Sequence, residues 1–175
     1  MTLPGGIDST SRLDRQKPTI VCDIDGVLCD PVKWVEKCVP NNWKEYFSHT
    51  LEFKPIVPII DLMYILHGYY SIHLVSGRPE SNRELTLIWL GEHFTCWDAL
   101  NLRKDGDPRP TYKIKLEWYS NIKPKLIFDD DPVLVRAAKN AGYLVVQPHG
   151  YRLLRAENIG DGIPFSTDFG HIEEV

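Results

Sequence analysis

The sequence predicts an α/β fold with a central parallel sheet, for two reasons. Strand-like and helix-like segments alternate along the chain, which is the pattern of strand–helix–strand units. The first strand-like segment, TIVCDI at 19–24, is a nearly continuous apolar run of the kind found in strands buried on both faces. The chain has 175 residues, of which 43% are hydrophobic, so it is long enough for one domain with a full core.

Turn and capping signals place the elements that follow this strand. Gly68 ends the first long helix, and Asp131 followed by Pro132 marks the start of the last one. The second predicted long helix has an apolar face of Leu85, Ile88, Trp89 and Leu90. The predicted elements are a helix over 55–68, a strand over 71–75, a helix over 80–93, a strand over 97–102, a helix over 111–122, a strand over 125–128, a helix over 132–140 and a strand over 143–147.

The two ends of the chain and one insertion lie outside this alternation. Residues 1–17 are polar and predict a flexible tail, so a single domain is expected over 18–175. Residues 30–54 lack clear periodicity and hold the aromatic side chains of Trp34, Trp43, Tyr46 and Phe47, which indicates a small flap or lid. A satellite cluster packed on the sheet edge is the alternative for this stretch. The last 25 or so residues, rich in glycine and charge, are assigned to no element.

Composition excludes several classes of protein. No window approaches the roughly 18 apolar residues of a membrane span, and no signal-peptide pattern opens the chain, so a cytoplasmic protein is expected. The four cysteines show no C-x-x-C spacing, which favours reduced thiols over zinc, and Cys22 is expected in the core. A net charge of −4 argues against a protein that coats nucleic acid non-specifically. No partner protein is predicted.

Asp23 and Asp25 are the first candidates for chemistry. They lie where a buried strand ends, at the carboxyl edge at which open α/β sheets bind ligands. Two residues apart on an extended chain, their side chains point the same way, and this is costly unless a cation or proton compensates. A calcium loop does not fit, because it needs three spaced acids before its glycine. A simple Asp-Gly turn at Gly26 is the structural alternative.

A second acidic group, Asp129-Asp130-Asp131, follows another predicted strand. A helix N-cap at Asp131 explains one of these acids and leaves the first two unexplained. Acids at the ends of two separate strands favour a hard-cation site, and all-oxygen ligands select Mg²⁺ over zinc or copper. The sequence therefore predicts a metal site at this edge of the sheet.

Two further segments carry groups suited to phosphate. Ser76-Gly77-Arg78 runs from a strand towards a helix start, where a hydroxyl and turn amides together make an anion site. A basic segment extends from Arg103 through Arg109 to Lys113 and Lys115, and a lysine there would balance the charge of an aspartate–phosphate assembly. A common strand–turn and a solvated loop are the respective alternatives.

Taken together, these four pieces resemble the motifs of the haloacid dehalogenase superfamily over residues 19 to about 147. Asp23-Ile-Asp25-Gly26 is similar to its first motif, Ser76 to its second, Lys115 to its third and Asp129-Asp130 to its fourth. Within that superfamily, the chain resembles the phosphatase half of phage-type polynucleotide kinase/phosphatases. The spacing from Arg109 to Lys115 fits that subgroup and selects Lys115 over Lys113. Two positions depart from this resemblance. Val27 stands where the superfamily usually has Thr, and Thr111 stands where the subgroup usually has Asp.

The resemblance implies the fold and the role of each group. The fold would be a Rossmann-like three-layer sandwich with only a small cap. Asp23 would be the nucleophile, Asp25 the general acid and base, and Lys115 with Ser76 and Gly77 would hold the phosphoryl oxygens. Mg²⁺ would be held by Asp23, the Asp25 backbone carbonyl, and Asp129 or Asp130. The arginines implied for substrate binding are Arg78, Arg103 and Arg109.

Substrate class follows from the cap and from the resemblance. Only about 39 residues separate Ser76 from Lys115, which leaves no room for a large cap domain, and open sites of this type admit polymer ends. The expected substrates are therefore DNA or RNA 3′-phosphate ends, on which the flap aromatics could stack. No G-x-x-x-x-G-K-[ST] loop occurs, so a phosphatase without kinase activity is expected. A nucleotidase or other small-molecule phosphatase, and a non-enzymatic receiver-like module, are the alternatives.

Overall fold

The computed structural model describes residues 17–38 and 42–148, with side chains over 17–35 and 42–148. The predicted tail, apart from Lys17, and the last 25 residues lie outside the described part. The strands are β1 (Thr19–Cys22), β2 (Cys29–Asp30), β3 (Lys54–Pro55), β4 (Ser71–Pro79), β5 (Ala99–Arg103), β6 (Leu126–Phe128) and β7 (Val145–Val146). The helices are α1 (Val32–Cys38), α2 (Trp43–Ser48), α3 (Val57–His67), α4 (Arg83–His93), α5 (Thr111–Ile122) and α6 (Pro132–Asn140). Single 3₁₀ turns occupy Thr50–Glu52 and Glu80–Asn82.

Five parallel strands form the central sheet in the order β5-β4-β1-β6-β7. Consecutive residues of β1 face opposite layers: Ile20 and Cys22 pack with α3 and α4, whereas Val21 packs with α5 and α6. All three side chains are completely buried, which explains why β1 is apolar without alternation. The predicted three-layer α/β fold is confirmed, and so is the core position of Cys22.

Local signals predicted the helices better than the strand ends. The bounds of α5 and α6 agree with the prediction, and the Asp131 side chain accepts the Val133 amide as an N-cap. The predicted turn after residue 75 is wrong, because β4 continues to Pro79 with a break in register against β5. The buried face of α4 also differs from the prediction, since Ile88 is 43% exposed and Thr86 is buried instead.

The described residues of the 30–54 stretch, 30–38 and 42–54, hereafter the flap, form a helical insertion between β1 and α3. The antiparallel pair of β2 and β3 closes its base, and α1, α2 and a 3₁₀ turn lie between these strands. Tyr46 and Phe53 of the flap belong to the main hydrophobic core, and the Trp89 indole Nε1 donates to the Phe53 carbonyl at 2.8 Å. The flap therefore packs as part of the domain. No helix in the described ranges is long and apolar enough to span a membrane.

Candidate active site

The carboxyl ends of β1, β4 and β6 meet at the point where the sheet order changes direction. The chain leaves β1 towards β4 on one side, while β6 lies on the other side of β1. Parallel sheets bind ligands at such a switch point, because the connections diverge there and leave a crevice. Asp23 follows β1, Ser76 lies in the last part of β4, and Asp129 follows β6. Side chains remote in sequence are thus gathered at one edge.

Lys115 joins two of these acids. Its Nζ lies 2.7 Å from Asp23 Oδ2 and 2.7 Å from Asp129 Oδ2, and all three side chains are buried. Although burial opposes its charge, Asp129 and Asp23 raise the pKa of Lys115 well above its usual value. Lys115 reaches the acids from α5, whereas Lys113 is exposed. The structure therefore brings together the lysine that the family resemblance selected and the first acid.

Asp23, Asp129 and Asp130 form a group able to hold a metal ion, with one carboxylate oxygen from each lying within 4.8 Å of the others. Burial raises the pKa of Asp23 to about 7, against the opposing effect of Lys115, and raises the pKa of Asp130 to about 9 with help from Asp23 and Asp129. The Asp130 carboxylate has no hydrogen-bond or ion-pair partner among the described residues. Three acids with a single lysine leave a surplus of two negative charges when ionised, which a divalent cation would balance.

Gly26 makes this close approach possible. Its φ is +80°, a region that favours glycine, and a Cβ at this position would lie 2.0 Å from Asp130 Oδ2. Gly77 is similarly confined, because a Cβ there would lie 2.8 Å from Thr111 Cγ2. At both positions, the absence of a Cβ allows a neighbouring side chain to approach the backbone closely.

Asp25 is paired with Arg78 and does not belong to the three-acid group. Arg78 Nε donates to Asp25 Oδ2 at 2.9 Å, and Nη2 donates to Asp25 Oδ1 at 2.8 Å. The Arg78 side chain is completely buried, whereas that of Asp25 keeps 22% exposure. This geometry favours a role for Arg78 that differs from the predicted one, since a guanidinium with no exposed surface is better placed to orient Asp25 than to bind substrate. The Asp25 carboxylate is not part of the three-acid group that could hold a metal ion. The predicted contact between the Asp25 backbone carbonyl and Mg²⁺ stays a prediction.

The other two arginines predicted to bind substrate, Arg103 and Arg109, contact groups in the loop after β5 and in α5. Arg103 donates to the carbonyls of Asp107 and Arg109 and, at 3.3 Å, to the Thr111 hydroxyl. Arg109 is about half exposed and pairs with Asp107 at 2.7 Å and with Glu117 at 2.6 Å. Their predicted contacts with substrate stay predictions, and Arg109 would have to exchange a carboxylate for a phosphate to make them.

Ser76 lies in the strand itself, 1% exposed, and its hydroxyl accepts the Arg78 amide at 3.2 Å. Its predicted contact with a phosphoryl oxygen stays a prediction. Sequence reasoning missed Thr86, whose hydroxyl accepts from Arg78 Nη1 at 3.1 Å. The signal was available, because a hydroxyl on the same helical face as Trp89 and Leu90 has to find a polar partner in the core.

Comparison with known proteins supports the fold. No family model and no curated protein sequence match the chain. A chain of the Pnkp1/Rnl/Hen1 RNA repair complex superposes with a TM-score of 0.64 at 21% identity, covering 76% of this chain and 42% of that one. The haloacid dehalogenase-like hydrolase SP0104 from Streptococcus pneumoniae gives 0.59 at 14% identity over 77% and 86% of the two chains. The HAD-hydrolase YfnB from Bacillus subtilis, bound to magnesium, gives 0.54 at 13% over 76% and 89%.

These similarities confirm the resemblance to haloacid dehalogenase-type hydrolases at the level of the fold. The chain spans less than half the length of the chains that it matches in the RNA repair complex.

Proposed function

We propose that the chain is a Mg²⁺-dependent phosphomonoester hydrolase that removes 3′-phosphates from polynucleotide ends through an aspartyl-phosphate on Asp23. One observation carries the catalytic part of this proposal. A buried carboxylate at the end of β1 is paired with Lys115, adjoins two further acids, and is followed two residues later by an acid that is held by an arginine. Groups able to serve as nucleophile, cation site and proton carrier thus lie at one edge of the sheet, which supports the proposal.

In the first step, a carboxylate oxygen of Asp23 forms a bond to phosphorus while the bond from phosphorus to the substrate oxygen breaks. Asp25, which has to be in its protonated form at this point, gives its proton to the departing oxygen. In the second step, Asp25 takes a proton from water, the water oxygen bonds to phosphorus, and the bond to Asp23 breaks. Inorganic phosphate leaves, and both aspartates return to their starting forms.

Charge balance explains the surrounding groups. A divalent cation held by Asp23, Asp129 and Asp130 would supply positive charge that reduces the repulsion between a carboxylate and a phosphate. Lys115 offers its ammonium group at the same place and holds Asp23 and Asp129 at a fixed separation. The completely buried Arg78 keeps the Asp25 carboxylate in one orientation through two parallel hydrogen bonds.

The polynucleotide part is supported by the small flap and by the likeness to the RNA repair complex. Trp43 of the flap is 39% exposed and packs against Phe47, with ring centroids 5.9 Å apart, and its exposed part could stack on a terminal base. A specific observation favours small-molecule substrates instead. Arg109 is already paired with Asp107 and Glu117, which reduces the positive charge offered to a nucleic-acid backbone.

Phosphate release from a panel of matched substrates tests both the catalytic proposal and the polynucleotide substrate. The panel comprises a 3′-phosphorylated oligonucleotide, its 5′-phosphorylated counterpart, and a 3′-mononucleotide, each assayed with Mg²⁺. The proposal expects the highest kcat/KM for the 3′-phosphorylated oligonucleotide, because the extra base and phosphate add binding energy. Faster turnover of the mononucleotide would replace it with the nucleotidase alternative. No release by the wild type from any substrate, with Asp23→Asn as the blank, would contradict the catalytic proposal itself.

A further inference from the structure

A buried series of polar contacts connects Asp25 to the flap. Arg78 Nη1 donates to Thr86 Oγ1 at 3.1 Å, and Thr86 Oγ1 donates to Asn82 Oδ1 at 3.2 Å. The Thr50 hydroxyl in the flap lies 3.0 Å from the same Asn82 oxygen and 2.7 Å from the Phe47 carbonyl, so these two acceptors share its single proton. We call the series Arg78–Thr86–Asn82–Thr50 the polar relay. The polar relay starts at the Arg78 guanidinium, which binds the Asp25 carboxylate, and ends at Thr50 in the flap.

The orientation of the Asn82 amide is determined by its partners. Its Nδ2 donates to the Phe47 carbonyl at 3.0 Å, and a carbonyl can only accept, so Oδ1 must face the two hydroxyls. Asn82 also occupies the N-cap position of α4 but makes no side-chain capping hydrogen bond there. Its side chain therefore serves the polar relay and the flap rather than the end of its own helix.

Burial makes these contacts hard to replace. Arg78, Thr86 and Thr50 are completely buried, and Asn82 is 5% exposed. A buried polar group that loses its partner carries the full cost of its lost hydration, so each member constrains the next. The Thr86 hydroxyl accepts from Arg78 and donates to Asn82, and a valine of the same shape can do neither. The Thr86 contact lies at Nη1 of the guanidinium, whose Nε and Nη2 hold Asp25.

We propose that Thr86 and Asn82 are positioning residues for Asp25, and that the polar relay couples the seating of the flap to the orientation of that carboxylate. This rests on the proposed function, in which Asp25 moves the proton of the departing oxygen. If the guanidinium tilts, the carboxylate tilts with it, and proton transfer is sensitive to small displacements. Loss of the polar relay should therefore impair proton transfer more than attack on phosphorus.

Leaving-group dependence separates these two effects. Phenyl phosphate and 2,4-dinitrophenyl phosphate carry similar rings, but phenolate is far more basic and needs the proton of Asp25, whereas dinitrophenolate departs without it. Asp25→Asn sets the reference for complete loss of proton transfer. Thr86→Val should lower kcat/KM for phenyl phosphate about tenfold more than for the dinitrophenyl ester, a part of the roughly 10²–10⁴-fold that acid–base catalysis contributes. Thr86→Ser, which keeps the hydroxyl, should restore the wild-type ratio.

Trp89→Phe is the matched control, because it removes a buried hydrogen bond between α4 and the flap that lies outside the polar relay. It should lower both rates by the same factor. An equal loss on both esters in Thr86→Val would overturn the proposal, since that is the behaviour of a merely structural contact. Where Thr86→Val does not fold, Thr50→Val cuts the polar relay at the flap and should shift the ratio in the same direction by a smaller factor. An unchanged ratio in Thr50→Val would contradict the coupling.

A wild type that hydrolyses neither ester would show that aryl phosphates are not substrates, which bears neither on the polynucleotide panel nor on the polar relay. In that case, NMR measurement of hydrogen exchange at the Arg78 Nε–H tests whether Thr86 positions the Arg78–Asp25 pair. This N–H donates to Asp25. Exchange at least about tenfold faster in Thr86→Val than in Trp89→Phe supports the proposal, as expected when a buried hydrogen bond opens more often. Equal exchange in the two variants would overturn it.

Discussion

The Arg78 guanidinium and the Asp25 carboxylate form two parallel hydrogen bonds of 2.9 and 2.8 Å across 53 residues of sequence. A planar fork and a carboxylate in this arrangement have one favourable relative orientation. Desolvation of the arginine is compensated by the charge of Asp25, which raises the pKa of Arg78 above its ordinary value despite burial. Among the described acids at this edge of the sheet, the one that the proposed mechanism uses for proton transfer is thus the one that an arginine holds.

Replacement of Arg78 by lysine tests whether it orients Asp25 or binds substrate. A single ammonium cannot make two parallel bonds, so Arg78→Lys should lower kcat by about 10²-fold, as a displacement of about 1 Å can. KM should change little. Steady-state kinetics provide the measurement, and a raised KM with unchanged kcat would return Arg78 to substrate binding.

The nucleophile is tested by Asp23→Asn, which keeps the size of the side chain and removes the attacking charge. Phosphatase activity should fall by at least about 10⁴-fold, the order of loss found when a nucleophile is removed. Asp131→Ser is the control from the same acidic region, because serine also caps helices and, within the described residues, the Asp131 side chain accepts only the Val133 amide. It should keep activity within about threefold. Appreciable phosphate release by Asp23→Asn would assign the attack to another group.

Metal binding should be visible without any assay of activity. Mg²⁺ at a hundred times its Kd stabilises the folded state by about 2.7 kcal/mol if it binds only that state, which raises Tm. Asp130→Asn should lose most of this shift. Asp98→Asn changes an acid that bonds the Ile72 amide at the amino end of β4, and it should keep the shift. Full activity in excess chelator, or an equal Tm shift in Asp130→Asn, would count against the predicted metal site.

Gly26→Ala should damage the site through geometry alone. The added Cβ would meet Asp130 Oδ2 at 2.0 Å, and a φ of +80° is strained for alanine. We expect a loss of stability of about 1–3 kcal/mol, together with weaker Mg²⁺ binding because Asp130 has to move. Gly91→Ala is the control, since nothing lies within 4 Å of a Cβ there. Chemical denaturation with and without Mg²⁺ measures both effects, and a Gly26→Ala variant as stable as Gly91→Ala would contradict the expectation.

Arg109→Ala addresses the substrate. If Arg109 exchanges its bonds with Asp107 and Glu117 for a backbone phosphate, the variant should lose more kcat/KM on a 3′-phosphorylated oligonucleotide than on an aryl phosphate. The expected difference is about tenfold, which corresponds to about 1.4 kcal/mol. Equal losses on both substrates would place Arg109 near the transferred phosphoryl group. No loss on either would remove it from substrate binding.

Local chemistry made much of the fold predictable. Pro132 after Asp131, and the periodicity of 111–122, act within a few residues, so the bounds of α5 and α6 could be derived from the sequence. The apolar run at 19–24 indicated a doubly buried strand, although β1 ends at Cys22, before the acids. Because parallel strands meet at one edge, the nearness of Asp23 to Asp129 could also be anticipated.

The partners of the polar side chains were decided by tertiary structure alone. Nothing local to Ser76-Gly77-Arg78 shows that β4 continues to Pro79 and turns the Arg78 guanidinium inwards to Asp25, Thr86 and Cys29. A long side chain reaches many partners, and the choice depends on which charged and polar groups from distant segments are buried beside it. The sequence by itself therefore determined which residues stand at the edge of the sheet. The packing of the flap and α4 against that edge decided which of them face the crevice, because only burial makes an unpaired charge costly enough to select one arrangement.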